Sequence, residues 1–452
     1  MTEPSDQQRP QVKRTISLSS ASPASASAPA RPAKPAPVVG PWRLSRLMEA
    51  PHRLSFTLAM LVLVAASLWW LAVQIDRVTG LLGLSVAVPP TLTHGAVMVL
   101  GFMPLYFSGF LFTAGPNWLR VTPLPARQLS GPLGLQTAGW LIWLAGAHMA
   151  PGLALAGLAL AAAGLTWMFA LYWGLVRKST VEDRVHAKAV GWGGAVGVLC
   201  LAGMVWAQAT GMTDWALVLV RTALWGFIVV VFVAVAHRMI PFFTSSVLPL
   251  IEIWRPFWVL WLMLGVAAWE VLAVWVDFAA PSAHAWPAWT MLCIAVEAVA
   301  GAVLLWLAVV WGLVQSLKIR LLAMLHVGFV WFGLALLYSA LSQALWLMTE
   351  RPVLGLGSLH ALSMGFLGSL MIAMVTRVSC GHSGRALVAD DLVWALFWVL
   401  QAVVGVRLLA AIEGMPPEMT TLAALGWALV VTVWGLRYAN WYGRPRTDGK
   451  PG

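Results

Sequence analysis

From Gln128 to Val176 the chain carries no Asp, Glu, Lys or Arg. A helix that crosses a membrane needs about 20 consecutive apolar residues, so this run is too long for one crossing. It holds two, broken as a hairpin at "HMAPG", residues 148–152. The pattern recurs. Splitting the chain at charges and at Pro/Gly breaks gives twelve apolar stretches, at 54–75, 90–114, 131–148, 152–175, 189–209, 215–237, 256–276, 288–316, 321–348, 354–376, 392–412 and 419–437. Only 10% of residues are charged and 60% are hydrophobic, against roughly 25% charged in soluble domains. One water-facing core cannot absorb that much apolar surface. The fold class is an all-α polytopic membrane protein with about twelve transmembrane helices.

Three regions follow. Residues 1–50 are polar and basic and include "SLSSASPASASAPARPAKPAPV", a composition that buries nothing and reads as a disordered tail. Residues 51–440 form the transmembrane domain and 441–452 a short tail. No cleavable signal peptide pattern is visible. With the N-terminal tail in the cytoplasm, alternate loops collect Arg120 and Arg127, then Arg177, Lys178, Arg184 and Lys188, then Arg238 and Arg255, then Lys318 and Arg320, then Arg377 and Arg385. The opposite loops hold only Arg77 and Arg351, so the positive-inside rule predicts both termini in the cytoplasm. The net charge of +11 does not indicate nucleic acid, because it is spread over short loops and tails. The partner it implies is the lipid bilayer. Cys200, Cys293 and Cys380 are far apart and form no C-x-x-C motif, so neither a zinc ribbon nor covalent haem attachment is expected. The 28 Trp are read as helix-packing and lipid-contact residues.

Histidine carries the chemistry. His52, His186 and His284 lie among charges or in a loop and read as solvated surface. The other six lie at helix ends or inside spans, where a polar ring needs a partner or a function. His94 and His360 both fall about 5–10 Å below the non-cytoplasmic surface at a rise of 1.5 Å per residue, and His148 sits near the same face at the hairpin. Equal depth makes His94 and His360 a candidate axial pair for a b-type haem. Met98 and Met364 each follow four residues later, on the same helix face as the histidine, and are candidates to wall or ligate the site. A second level is cytoplasmic. There His326, His237 and His382 close or approach three spans, a set that suits copper, or copper with a second haem. Arg238, Arg377 and Arg385 lie nearby as candidate partners for haem propionates or another anion. Four charges fall within spans. Arg221 and Arg407 are expected to pair with Glu270 and Glu297, locking helices together. The alternative for these four is a proton or water path toward the His94–His360 level.

Four segments together resemble the NnrS family, bacterial polytopic membrane proteins associated with haem, copper and the response to nitric oxide. They are "HGAVMVLGFMPLYFSGFLFTAGPNW" (94–118), "RMIPFFT" (238–244), "LHVGFVW" (325–331) and "LHALSMGFLGSLMIAMVTRVSCGHSGR" (359–385). In the first, the family's His-x-His-Glu-Met stands as His94-Gly95-Ala96-Val97-Met98, without the second His and the Glu. His237 stands where the family has Gly. The resemblance implies a bacterial inner-membrane protein that binds haem b, with copper as a further metal. It implies a role in the nitric oxide or nitrosative-stress response, with NO as the small molecule and an electron-donor protein as partner. Nothing in the sequence itself demonstrates turnover. Two other classes fit parts of the pattern. A transporter or metal permease suits twelve spans, but it calls for an internal repeat of about six spans, and none is evident. A haem-binding sensor without catalysis suits the histidines equally well.

Overall fold

The computed structural model describes residues 40–248, 250–280 and 286–450. All of them belong to one unit, Val38–Gly452. His284 and residues 1–39 of the expected tail lie outside the described residues. Among the described residues there is no strand. Twelve long helices form the body: α1 (Pro51–Thr79), α2 (Pro90–Leu111), α3 (Ala126–Met149), α4 (Pro151–Lys178), α5 (Val185–Thr210), α6 (Thr213–Val247), α7 (Phe257–Ala279), α8 (Pro287–Val310), α9 (Arg320–Thr349), α10 (Gly357–His382), α11 (Asp391–Leu409) and α12 (Glu418–Tyr442). Eleven are long and apolar enough to cross a membrane. The remaining one, α3, has 24 residues, enough to cross, but is diluted by Gly, Ser, Gln and Thr.

Why α3 tolerates those residues is clear from its packing. It turns back on α4 at Ala150, which is extended, and Pro151 opens α4 where its missing N–H costs nothing. Glycines then bring the two backbones together. A β-carbon on Gly139 would fall 2.5 Å from the Ala161 nitrogen, and one on Gly157 would fall 2.6 Å from the Trp143 nitrogen. Small residues are the usual means of close helix approach in lipid, where there is no hydrophobic drive to associate. Gly301 of α8 and Gly333 of α9 repeat the device. The uncharged run is thus a glycine-sealed hairpin, as its break at "HMAPG" predicts.

The two chain ends meet. Arg53, in the first turn of α1, donates to the carbonyls of Tyr442 and Arg444 at 3.1 and 3.0 Å, and the Arg43 amide donates to Gly443. Both ends therefore lie on one side, here the terminal face, as an even number of crossings requires. The structure trims the expected tails. Leu44–Glu49 forms a 3₁₀ turn with Leu47 buried, inside the stretch read as disordered. After α12, Thr447 donates from its amide to Ser383 and from its hydroxyl to Gly384, at 3.0 and 2.8 Å. Gly384 adopts φ +72°, so the turn after α10 is built for glycine. Arg446 and Asp448 pair beside it, and that hydrogen bond holds the Asp448 carboxyl well below the usual carboxylate range.

Candidate functional site

Three helices of this bundle contain a π turn, in which one extra residue is accommodated per turn: Val97–Gly101 in α2, Leu224–Val229 in α6 and Ala361–Gly368 in α10. Such turns are rare and tend to mark functional positions. Each begins within three residues of a polar side chain, His94, Arg221 and His360 respectively. All three turns, and all three side chains, line one cavity of about 170 Å³, measured as space for the centres of water-sized molecules. It lies in the half of the bundle away from the terminal face, and Trp70 and Ser67 of α1, Arg407 of α11 and Trp427 of α12 complete it. Most of its surface is apolar. Met98 and Met364 line it as the spacing predicts.

The two histidines are set differently. His360 Nδ1 lies 2.9 Å from the Leu356 carbonyl, which can only accept, so Nδ1 carries the proton and Nε2 keeps its lone pair. This is how metal-binding histidines are usually oriented. His94 is held by stacking, with the Trp70 ring 3.9 Å away and tilted by 21°, and its Nδ1 is buried without a partner. Trp70 thus has a place in the site that the reading of Trp as packing did not foresee. Arg221 and Arg407 are the cations of this cavity. Neither forms an ion pair among the described residues, so the expected locks to Glu270 and Glu297 do not form. Instead Glu297 accepts from the Gln343 amide at 2.7 and 2.8 Å. These two arginines are the site residues that depth alone did not assign, although their position inside spans was the signal.

The second histidine level comes apart. His237 Nε2 donates to the Pro256 carbonyl at 3.1 Å, so its Nδ1 accepts, and the donor is His186 Nε2 at 2.9 Å. His326 sits elsewhere. Thr244 gives its hydroxyl proton to Ile240, so His326 Nε2 donates to Thr244 Oγ1 at 3.0 Å. His382 packs on His52, with ring centroids 4.5 Å apart. The three expected ligands of one copper site therefore occupy three separate pairings, and the described residues contain no group of three His, Cys, Asp or Glu able to hold a metal ion. His52 and His186, read as solvated, are each 2% exposed. His148 is a structural ring: it accepts from Trp69 at 2.7 Å and donates to the Ser85 carbonyl, tying the α1–α2 loop to the hairpin.

Arg238 and Arg377 do not reach the His94–His360 cavity. Each lies over an aromatic face near the terminal side, Arg238 at 4.8 Å from Trp118 and Arg377 at 3.8 Å from Phe243. Arg385 covers Trp441 in the same manner. All three make cation–π contacts in this structure. The three cysteines are buried and form no disulfide.

No curated protein matches the chain. The family model described as NnrS protein matches residues 46–446, a stretch that takes in all three π turns and every residue of the cavity. The chain belongs to the NnrS family.

Proposed function

We propose that this protein binds haem b in the bacterial inner membrane, with both termini cytoplasmic, and serves the response to nitric oxide or nitrosative stress through redox or NO chemistry at His-ligated iron. One observation carries the reading: His94 and His360, from different helices, line one membrane-embedded cavity, and His360 presents a free Nε2. The residues present fit the group. His94 and His360 would hold it, and the unpaired Arg221 and Arg407 would neutralise its propionates. Bound there, haem supplies an iron that changes oxidation state and takes diatomic ligands. The chain supplies the rest. Leu356 fixes the His360 ring, Trp70 fixes the His94 ring, and Met98, Met364 and the apolar lining limit water while admitting a small, weakly polar molecule such as NO. Electrons would come from a partner protein. Copper does not fit at His237, His326 and His382 together, because their rings serve separate pairings.

The test is a reduced-minus-oxidised spectrum with pyridine haemochrome on the purified chain, beside His94→Ala, His360→Ala and His326→Ala. The expected result is a b-type signal lost in the first two variants and kept in the third. A well-folded wild type without haem defeats the reading.

A further inference from the structure

A second cavity of about 290 Å³ adjoins the first, and Arg221, Leu224, Leu356 and Leu359 line both. Its character is opposite, with nearly half of its surface polar. Glu270 and Asp277 face it from α7, Cys293 and Glu297 from α8, and Arg221 from α6; α9 contributes Ser339 and Gln343, which do not titrate. Glu270 is 8% exposed, and its Oε1 is buried without a hydrogen-bond partner. Glu297 is 3% exposed and takes its hydrogen bonds from neutral groups, the Gln343 amide and the Ser339 hydroxyl. The two carboxyl groups line the same cavity, and neither is ion-paired to Arg221 among the described residues. Two membrane-buried carboxylates in one cavity, without a paired cation, cannot both carry charge at modest cost. The lining also includes Gly355 and Leu356, exposed in the α9–α10 loop on the side away from the terminal face. The cavity thus reaches the loop at that face.

We propose that Glu270 and Glu297 hold one proton between them, exchange it with water at that face, and pass it through water beside Arg221 to the His94–His360 cavity. In donation, the O–H bond of the Glu270 carboxyl breaks as a new O–H bond forms on a water molecule in the cavity, a carboxylate remains, and that water gives up a proton to the next water toward the His94–His360 cavity. In refilling, a proton from solvent restores the O–H bond, and no electron moves on the pair. Delivery to the neighbouring cavity rests on the redox reading given above. The held proton does not.

Infrared absorption of the full-length protein at neutral pH tests this. The expected spectrum has the carbonyl stretch of a protonated carboxyl group, which disappears in Glu270→Gln and shifts promptly in D₂O. In haem-loaded protein, reduction is expected to perturb the same band. A wild-type spectrum with carboxylate bands alone overturns the proposal without recourse to any variant. So does a band that survives in both Glu270→Gln and Glu297→Gln. A band that does not respond to D₂O overturns the exchange, and one blind to reduction overturns the delivery. A protein that carries no haem defeats the earlier reading instead, and the carboxyl band still decides the proton.

Discussion

His186 Nε2 lies 2.9 Å from His237 Nδ1, and the carbonyl of Pro256 on the far side of His237 fixes the direction of that hydrogen bond. His237 has no nitrogen to spare. Its replacement by Ala strands a buried donor on His186, which costs about 1–3 kcal/mol. The expected outcome is a lower unfolding temperature in detergent with the haem spectrum and metal content unchanged. Loss of bound copper in His237→Ala with stability intact would restore the copper site expected from sequence.

Arg407 and Arg221 should separate from Arg377 and Arg238 in their effect on haem. Removing a cation from the cavity, as Arg407→Met, is expected to weaken haem retention roughly tenfold, the scale of one charge-assisted contact. Arg377→Met and Arg238→Met should leave retention at the wild-type level. Titration of stripped protein with haemin measures all four.

Gly146 is the tightest point of the α3–α4 hairpin, since its β-carbon would fall 2.3 Å from the Ala154 nitrogen. Backbone cannot step aside as a side chain does. Gly146→Ala should therefore destabilise the protein by about 1–3 kcal/mol. Gly134→Ala, in the same helix with nothing within 4 Å of the added carbon, should be neutral or stabilising by up to about 1 kcal/mol. Thermal unfolding followed by tryptophan fluorescence compares them.

Gly384→Ala meets both an unfavourable φ of +72° and the Asp448 side chain at 2.7 Å. The expected result is release of the segment after α12, seen as faster tryptic cleavage at Arg446 while the body stays intact. Unchanged cleavage would mean that the turn holds its shape without glycine.

How much of this was legible follows from what a sequence encodes about a helix. Depth along the axis is a count of residues from a charged or Pro/Gly boundary, so the spans, their common terminal face and the equal depth of His94 and His360 could be read directly. Direction around the axis is another matter. Arg221 and Arg407 had the depth to meet Glu270 and Glu297, but Arg407 lines only the other cavity and Arg221, which lines both, pairs with neither carboxylate, and π turns shift direction with no residue pattern that marks them. His237, His326 and His382 likewise share a level without sharing a neighbour. His52 was misread for a third reason. Charges beside it suggested solvent, yet the end of α12 and the segment beyond it cover that turn, through hydrogen bonds from Arg53 to residues almost a chain length away.

The three π turns also set how the cavity could change. An α-helix advances about 100° per residue, so deleting one residue from Val97–Gly101 would restore regular winding and swing His94, with all of the helix before it, by about that angle relative to the rest of α2. The same holds for His360 and Arg221. Each helix is thus two rotors joined at a phase slip, and loss of one residue at the joint re-aims the cavity residues before it while leaving the half that packs toward the terminal face where it was.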